Sequence, residues 1–138
     1  MVIRPISEPD FSTVQSLLVA GGWEERAADI ARLTELIQRS PVALVAECEG
    51  QVVGFVRALT DGISNGYISM LVVAAHSRKQ GIGSALVKAC MGSNPEMTWV
   101  LRAGRPGLFS FYKKLGFQVS TVAMERPRKK HADGSPPQ

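Results

Sequence analysis

The chain has 138 residues, enough for one domain around a single core and too few for two. Hydrophobic residues make up 45% and charged residues 20%, a globular composition. No apolar run approaches the roughly 18 residues of a membrane span, and Met1-Val2-Ile3-Arg4-Pro5 lacks the layout of a secretory signal; the expected compartment is the cytosol, with no membrane partner.

In chain order, Val2–Ile6 reads as a short edge strand, because Pro5 cannot donate to a ladder. Ser7-Glu8-Pro9-Asp10 reads as a helix start, with Ser7 as N-cap, proline in the first turn and a carboxylate three residues on. Phe11, Val14, Leu17 and Leu18 follow at helical spacing until Gly21-Gly22. A second helix is expected over Glu24–Gln38, with Ala27, Ile30, Ala31, Leu33 and Ile37 inward. Val42–Cys48 and Val52–Leu59 are strands of a hairpin turning at Glu49-Gly50-Gln51. Asp61-Gly62 and Asn65-Gly66 mark the next turn, and Tyr67–Val73, nearly all apolar, reads as a third, central strand.

A helix opens within Arg78–Gly83, with Ile82, Ala85, Leu86, Ala89 and Cys90 on its inner face. Met97–Leu101 reads as a strand, Gly107–Leu115 as a short helix stopped by Gly116, and Phe117–Met124 as the last strand. The remaining tail, 126–138, is basic (Arg126, Arg128, Lys129, Lys130) and ends in Pro, Gly and polar residues that argue for disorder. It lacks the charge density and aromatic interleaving of a nucleic-acid arm, so no nucleic-acid partner is expected, although a net charge of +4 suits some anionic ligand. Cys48, Cys90, His76 and His131 show no metal-ligand spacing, and the cysteines read as a buried, reduced pair.

Free N–H groups at a helix N-terminus bind phosphate, and Gly81 and Gly83 let the main chain approach it, with Arg78 and Lys79 adding positive charge. The same glycines suit a purely structural turn. A Rossmann fingerprint fits poorly, because Leu86 stands where a third glycine belongs and antiparallel strands precede the loop. Phe111-Tyr112 before Gly116-Phe117, taken by itself, reads as core packing rather than catalysis.

Taken together, these stretches resemble the GNAT superfamily of acetyl-CoA-dependent N-acetyltransferases. The pattern Arg/Gln-x-x-Gly-x-Gly/Ala is met by Arg78-Lys79-Gln80-Gly81-Ile82-Gly83, the upstream apolar-x-Val by Leu71-Val72-Val73, and the downstream signature by Phe111-Tyr112-Lys113-Lys114-Leu115-Gly116-Phe117. The resemblance covers residues 1–125 and implies an α/β (α+β) fold: a central mixed, mostly antiparallel sheet, splayed between two strands and flanked by about four helices. It implies acetyl-CoA as cosubstrate, its pantetheine arm on the main chain at Leu71 and Val73 and its pyrophosphate on the N–H groups of Gln80, Gly81, Ile82, Gly83 and Ser84. The thioester would lie between Leu71–Val73 and Thr98–Leu101, with N–H near Val72 or Val73 facing the oxyanion. Tyr112 would protonate the leaving thiolate.

The acceptor implied is a primary amine of a small molecule; a protein lysine or N-terminus, or a non-catalytic acyl-CoA-binding module, are the competing readings. A homodimer is compatible with the family. The glutamate that many members carry on the strand equivalent to Tyr67–Val73 is missing, which leaves Asp61, His76, Glu24, Glu25 or water as the base. Arg105 replaces a common asparagine and suits either a phosphate, an acidic acceptor or a solvent-facing loop. Trp23 suits either an acceptor pocket or a cap on the core.

Overall fold

The sheet grows from a two-residue turn. Glu49 and Gly50 both take positive φ, 51° and 78°, the geometry whose twist matches flanking antiparallel strands. It joins β2 (Val42–Cys48) to β3 (Gln51–Thr60) in a register running from Cys48↔Gln51 to Val42↔Ala58. β1 (Val2–Pro5) pairs antiparallel with β2 at one edge, and β4 (Asn65–Val73) pairs antiparallel with β3. β5 (Thr98–Leu101) is parallel to β4, so the strand order is β1-β2-β3-β4-β5 and the sheet is mixed but mostly antiparallel. The middle position falls to β3, with β4 one strand further out.

The helices are α1 (Phe11–Ala20), α2 (Glu24–Ala27), α3 (Ile30–Gln38), α4 (Ile82–Met91) and α5 (Gly107–Lys114). The structure is a computed structural model describing residues 1–105 and 107–129. The chain divides into two compact units, Met1–Arg102, which holds the sheet and α1–α4, and Ala103–Gln138, which holds α5.

In the first unit, strand alternation assigns the two faces of the sheet. Phe55, Met70 and Val72 join Val14, Leu18, Leu33 and Ile37 in one cluster under α1 and α3. Each such buried side chain contributes roughly 1.5–3 kcal/mol. Gly54, one residue out of phase, faces α4: a Cβ there would lie 2.9 Å from Leu86 Cδ1 and 3.2 Å from Ile82 Cγ2. At the outer edge Asp10 accepts from Ser7 N–H (2.8 Å) and from Arg4 Nη1 (2.7 Å), while Arg4 Nη2 reaches Glu47 (3.1 Å). The expected helix start thus forms, and it is clamped to β1 and β2.

In this unit two helices differ from expectation. The helix expected over 24–38 breaks at Ala28-Asp29, because the Asp29 carboxylate accepts from Ala31 and Arg32 N–H and caps a new helix. The cap resets the phase, so Ile30 and Ala31 face solvent while Ala27, Leu33 and Ile37 are buried. On α4 the buried face is Ile82, Leu86, Val87 and Cys90, with Ala89 exposed; burial pushes the Cys90 thiol up to about 11, and Cys48 and Cys90 are both free thiols.

In the second unit, the strand expected at Phe117–Met124 does not form. Ser120 Oγ accepts from Val122 and Ala123 N–H and turns the chain mid-segment, leaving Val122 and Met124 exposed. Arg126, Arg128 and Lys129 are exposed outside any helix or strand; the rest of the tail expected to be disordered, 130–138, lies outside the described residues. Among the described residues no helix is long and apolar enough to cross a membrane.

Two measurements check this account. Gly54→Ala is expected to cost about 1–3 kcal/mol by forcing α4 off the sheet, read by chemical denaturation. The Arg4 guanidinium, helped by the Ser7 bonds, pushes the Asp10 carboxyl down to about 2 against the opposing effect of burial. A depressed folded-state pKa stabilises above the ordinary carboxylate value and is lost as pH falls through the folded one. Between pH 5 and 2, Asp10→Asn should therefore lose roughly 1 kcal/mol less stability than the native chain, after allowance for solvent screening.

Candidate functional site

β4 loses its outer neighbour half-way along. Its pairing with β5 runs from Asn65↔Thr98 to Ile68↔Leu101 and stops where β5 ends. Main-chain direction in the exposed half follows from one bond. Ala74 N–H donates to Val53 O (2.8 Å), so the groups of Val72, two residues earlier, also face β3, and those of Leu71 and Val73 point to the open edge. Of the two N–H groups expected near an oxyanion, Val73's faces the gap and Val72's faces β3. The Val72 side chain is buried in the core under α1. Arg78 Nε donates to Val73 O (3.2 Å) across this edge.

The open edge leads into a tight loop and the tip of α4. Lys79 and Gly81 both take positive φ, 64° and 81°, and Gly81 is the N-cap of α4. The first helical bond joins Ala85 N–H to Gly81 O (3.0 Å). The N–H groups of Gly81, Ile82, Gly83 and Ser84 therefore precede the hydrogen-bonded ladder, and the N-cap supplies no side-chain acceptor for them. The positive end of the helix dipole adds to the same place. Arg78, Lys79, Gln80 and Gly81 are exposed, while Ile82 is buried and anchors the helix on the sheet. The structure thus brings together Leu71, Val73 and residues 78–84 along one edge of the first unit.

Tyr112 belongs to the second unit. It is 9% exposed on α5, with its ring edge-on to Phe111 (4.9 Å) and Phe117 (5.7 Å). Its carbonyl accepts from Leu115 and Phe117 N–H, closing the helix at Gly116. Desolvation raises the phenol above its ordinary pKa, so it holds its proton at neutral pH.

The candidate bases are not alike. The Asp61 carboxylate accepts from Ile63, Ser64 and Asn65 N–H and from the Ser64 hydroxyl, which holds it far below the ordinary carboxylate range. It is committed to its turn and is a poor proton acceptor. Glu24 and Glu25 lie exposed in the first turn of α2, and His76 is exposed on the single 3-10 turn after β4. Trp23 packs against the core cluster, which favours the core-capping role. Arg105 is exposed in a loop of the second unit. Among the described residues no group of three or more His, Cys, Asp or Glu is placed to hold a metal ion.

Sequence reasoning passed over Arg57 and its contact with Ser69. The signal was one arginine inside the otherwise apolar run Val52–Leu59.

The half of β4 beyond β5 thus runs into a glycine-capped helix tip whose first N–H groups precede the hydrogen-bonded ladder. The chain belongs to the GNAT acetyltransferase family: the model of the acetyltransferase (GNAT) domain matches residues 39–119. The chain resembles a GNAT-family acetyltransferase of Streptococcus pneumoniae with 26% identity over 93% of this chain and 97% of that one, at a TM-score of 0.72. It is 31% identical to a Deinococcus radiodurans R1 protein assigned as an acetyltransferase, over 70% of this chain and 68% of that one, at 0.59. Ard1 from Thermoplasma volcanium is similar at 25% identity over 87% and 84%, with a TM-score of 0.72. No curated protein matches the chain.

Gly81→Ala is expected to cost about 1–2 kcal/mol, the penalty of a left-handed conformation for a residue with Cβ. Gly104→Ala, where φ is not positive and nothing lies within 4 Å of the added carbon, should cost far less; chemical denaturation of both variants separates the two.

Proposed function

We propose that this chain is an N-acetyltransferase that moves the acetyl group of acetyl-CoA to a primary amine of a small molecule by direct attack in a ternary complex. The observation that carries the reading is the open half of β4 running into the glycine-lined tip of α4. Leu71 and Val73 offer N–H and C=O groups to the amides of the pantetheine arm, as an added strand would. The N–H groups of Gln80, Gly81, Ile82, Gly83 and Ser84 take the pyrophosphate, and Arg78 and Lys79 supply positive charge beside it. Arg78 then gives up its bond to Val73 O, freeing that carbonyl.

In the reaction the amine nitrogen attacks the thioester carbonyl, and the developing oxyanion is stabilised by Val73 N–H. The C–S bond breaks as the intermediate collapses. The thiolate receives a proton from Tyr112, assigned on the Phe111-Tyr112…Gly116-Phe117 signature and on its protonated state. An alkylamine near pKa 10 is mostly protonated at neutral pH; with no carboxylate on β4, its proton leaves through water. In this reading residues 1–125 form the catalytic domain, 126–138 are a tail outside it, and the enzyme works in the cytosol.

Acetyl-CoA at 100 times its dissociation constant should stabilise the fold by about 2.7 kcal/mol, seen as a thermal shift. Thiol release against a panel of small amines, with peptides in parallel, should then show turnover on the amines. Turnover on peptides alone would transfer the reading to a protein acceptor, and binding without any turnover would leave an acyl-CoA-binding module. Tyr112→Phe should slow turnover roughly 10²–10⁴-fold with little change in acetyl-CoA affinity; an unchanged turnover number with chemistry rate-limiting excludes the acid role.

A further inference from the structure

Arg57 is 7% exposed, in the middle of β3. Strand alternation from Gly54, which faces α4, puts it on the opposite face of the sheet with Phe55, beneath the end of α3. Its Nε donates to Ser40 Oγ (2.6 Å), and its Nη1 donates to Ser69 Oγ (2.7 Å). Ser40 passes its own proton to Leu36 O (2.7 Å). Both partners are neutral hydroxyls. Among the described residues no carboxylate lies within ion-pair distance. A buried guanidinium is costly unless it is paired. Of its five N–H donors, two find acceptors among the described residues, which leaves three, including both on Nη2, without one there.

Its position ties it to the reaction gap. β4 carries one extra residue against β3, since Arg57 pairs with Met70 and Ala58 with Ile68. The bulged residue is Ser69, which holds Arg57 and is also the first residue of β4 beyond its last pair with β5. The guanidinium is therefore anchored where the two strands part, on the face away from the α4 tip.

We infer that Arg57 binds a carboxylate of the acceptor, so that the substrate is a small amine that also carries a carboxylate. This rests on the acetyltransfer reading above. The planar fork of Arg matches a carboxylate in a bidentate pair, and the acceptor's anion supplies the counter-charge that the described residues do not. The cosubstrate then lies along the α4 side of the gap while the acceptor is held from the α1–α3 side.

The test compares glycine, β-alanine and γ-aminobutyrate with ethanolamine, 3-aminopropanol and 4-aminobutanol as acceptors in thiol release. At least one carboxylate should exceed its alcohol roughly 10-fold or more in kcat/KM, mostly through KM. Arg57→Lys should shrink that ratio while acetyl-CoA binding persists. Because Arg57 also ties two hydroxyls, so that its loss tests folding as well as binding, the native chain gives a second readout. With acetyl-CoA bound, the Nε–Hε resonance of Arg57 should shift on adding the preferred carboxylate and stay fixed with its alcohol. Equal turnover of acids and alcohols, or an Arg57 resonance indifferent to all three acids, overturns the inference and leaves acetyltransfer standing. Failure of acetyl-CoA to bind overturns the acetyltransfer reading instead, and is seen separately by calorimetry.

Discussion

Everything at the site depends on β5 being shorter than β4. Four residues of β5 pair with the first half of β4, and the second half is left with main-chain donors and acceptors that no strand satisfies. Exposed strand edges are ordinarily blunted because they recruit other chains. Here the groups of Leu71 and Val73 point outward, Val73 O accepting from Arg78 Nε, while Val72 between them is locked into β3 and the core. The same chain then turns through Lys79 and Gly81 to present a helix tip, so the hydrogen-bonding edge leads directly to the first N–H groups of α4.

The gap is held by packing on both faces. Gly54 lets α4 sit close on β3 through Ile82 and Leu86, which fixes the tip of α4 relative to the β4 edge. On the other face Phe55, Met70 and Val72 lock β3 and β4 under α1 and α3. The bulge at Ser69 lies at the parting of β4 and β5, and Arg57 bridges it to Ser40 after α3. Bulges bend strands and increase local twist, which suits a strand that must leave its neighbour. The Arg4–Asp10–Glu47 cluster secures the far edge and takes no part in the site.

On the proposal that a neutral amine is the nucleophile, the electrostatics are unusual. β4 offers a hydroxyl and a phenol, Ser69 and Tyr67, where a carboxylate would take a proton, and nearby Asp61 is consumed by its own turn. The strongest charge near the parting of the strands is positive. A cation there disfavours an ammonium and favours an anion, which suits the proposed acceptor that carries a carboxylate.

Much of the fold was legible in the residues. The hairpin at Glu49-Gly50, the Ser7 helix start, strands β1 to β5 and helices α1, α4 and α5 follow from period, turn chemistry and caps, all of which act between near neighbours. The glycine loop was legible too, because positive φ at a helix start leaves a mark in composition. Other features needed the fold. Asp29 divided a continuous apolar period, since a cap outweighs an apolar repeat when its carboxylate reaches two N–H groups. Ser120 turned a strand-like segment that had no ladder partner within its unit. The direction of the Leu71 and Val73 main chain, the spent carboxylate of Asp61 and the Arg57 charge, which no carboxylate among the described residues meets, are invisible in one dimension. Each is set by what lies across the sheet, and sequence records which residue stands at a position but not which partners burial leaves it.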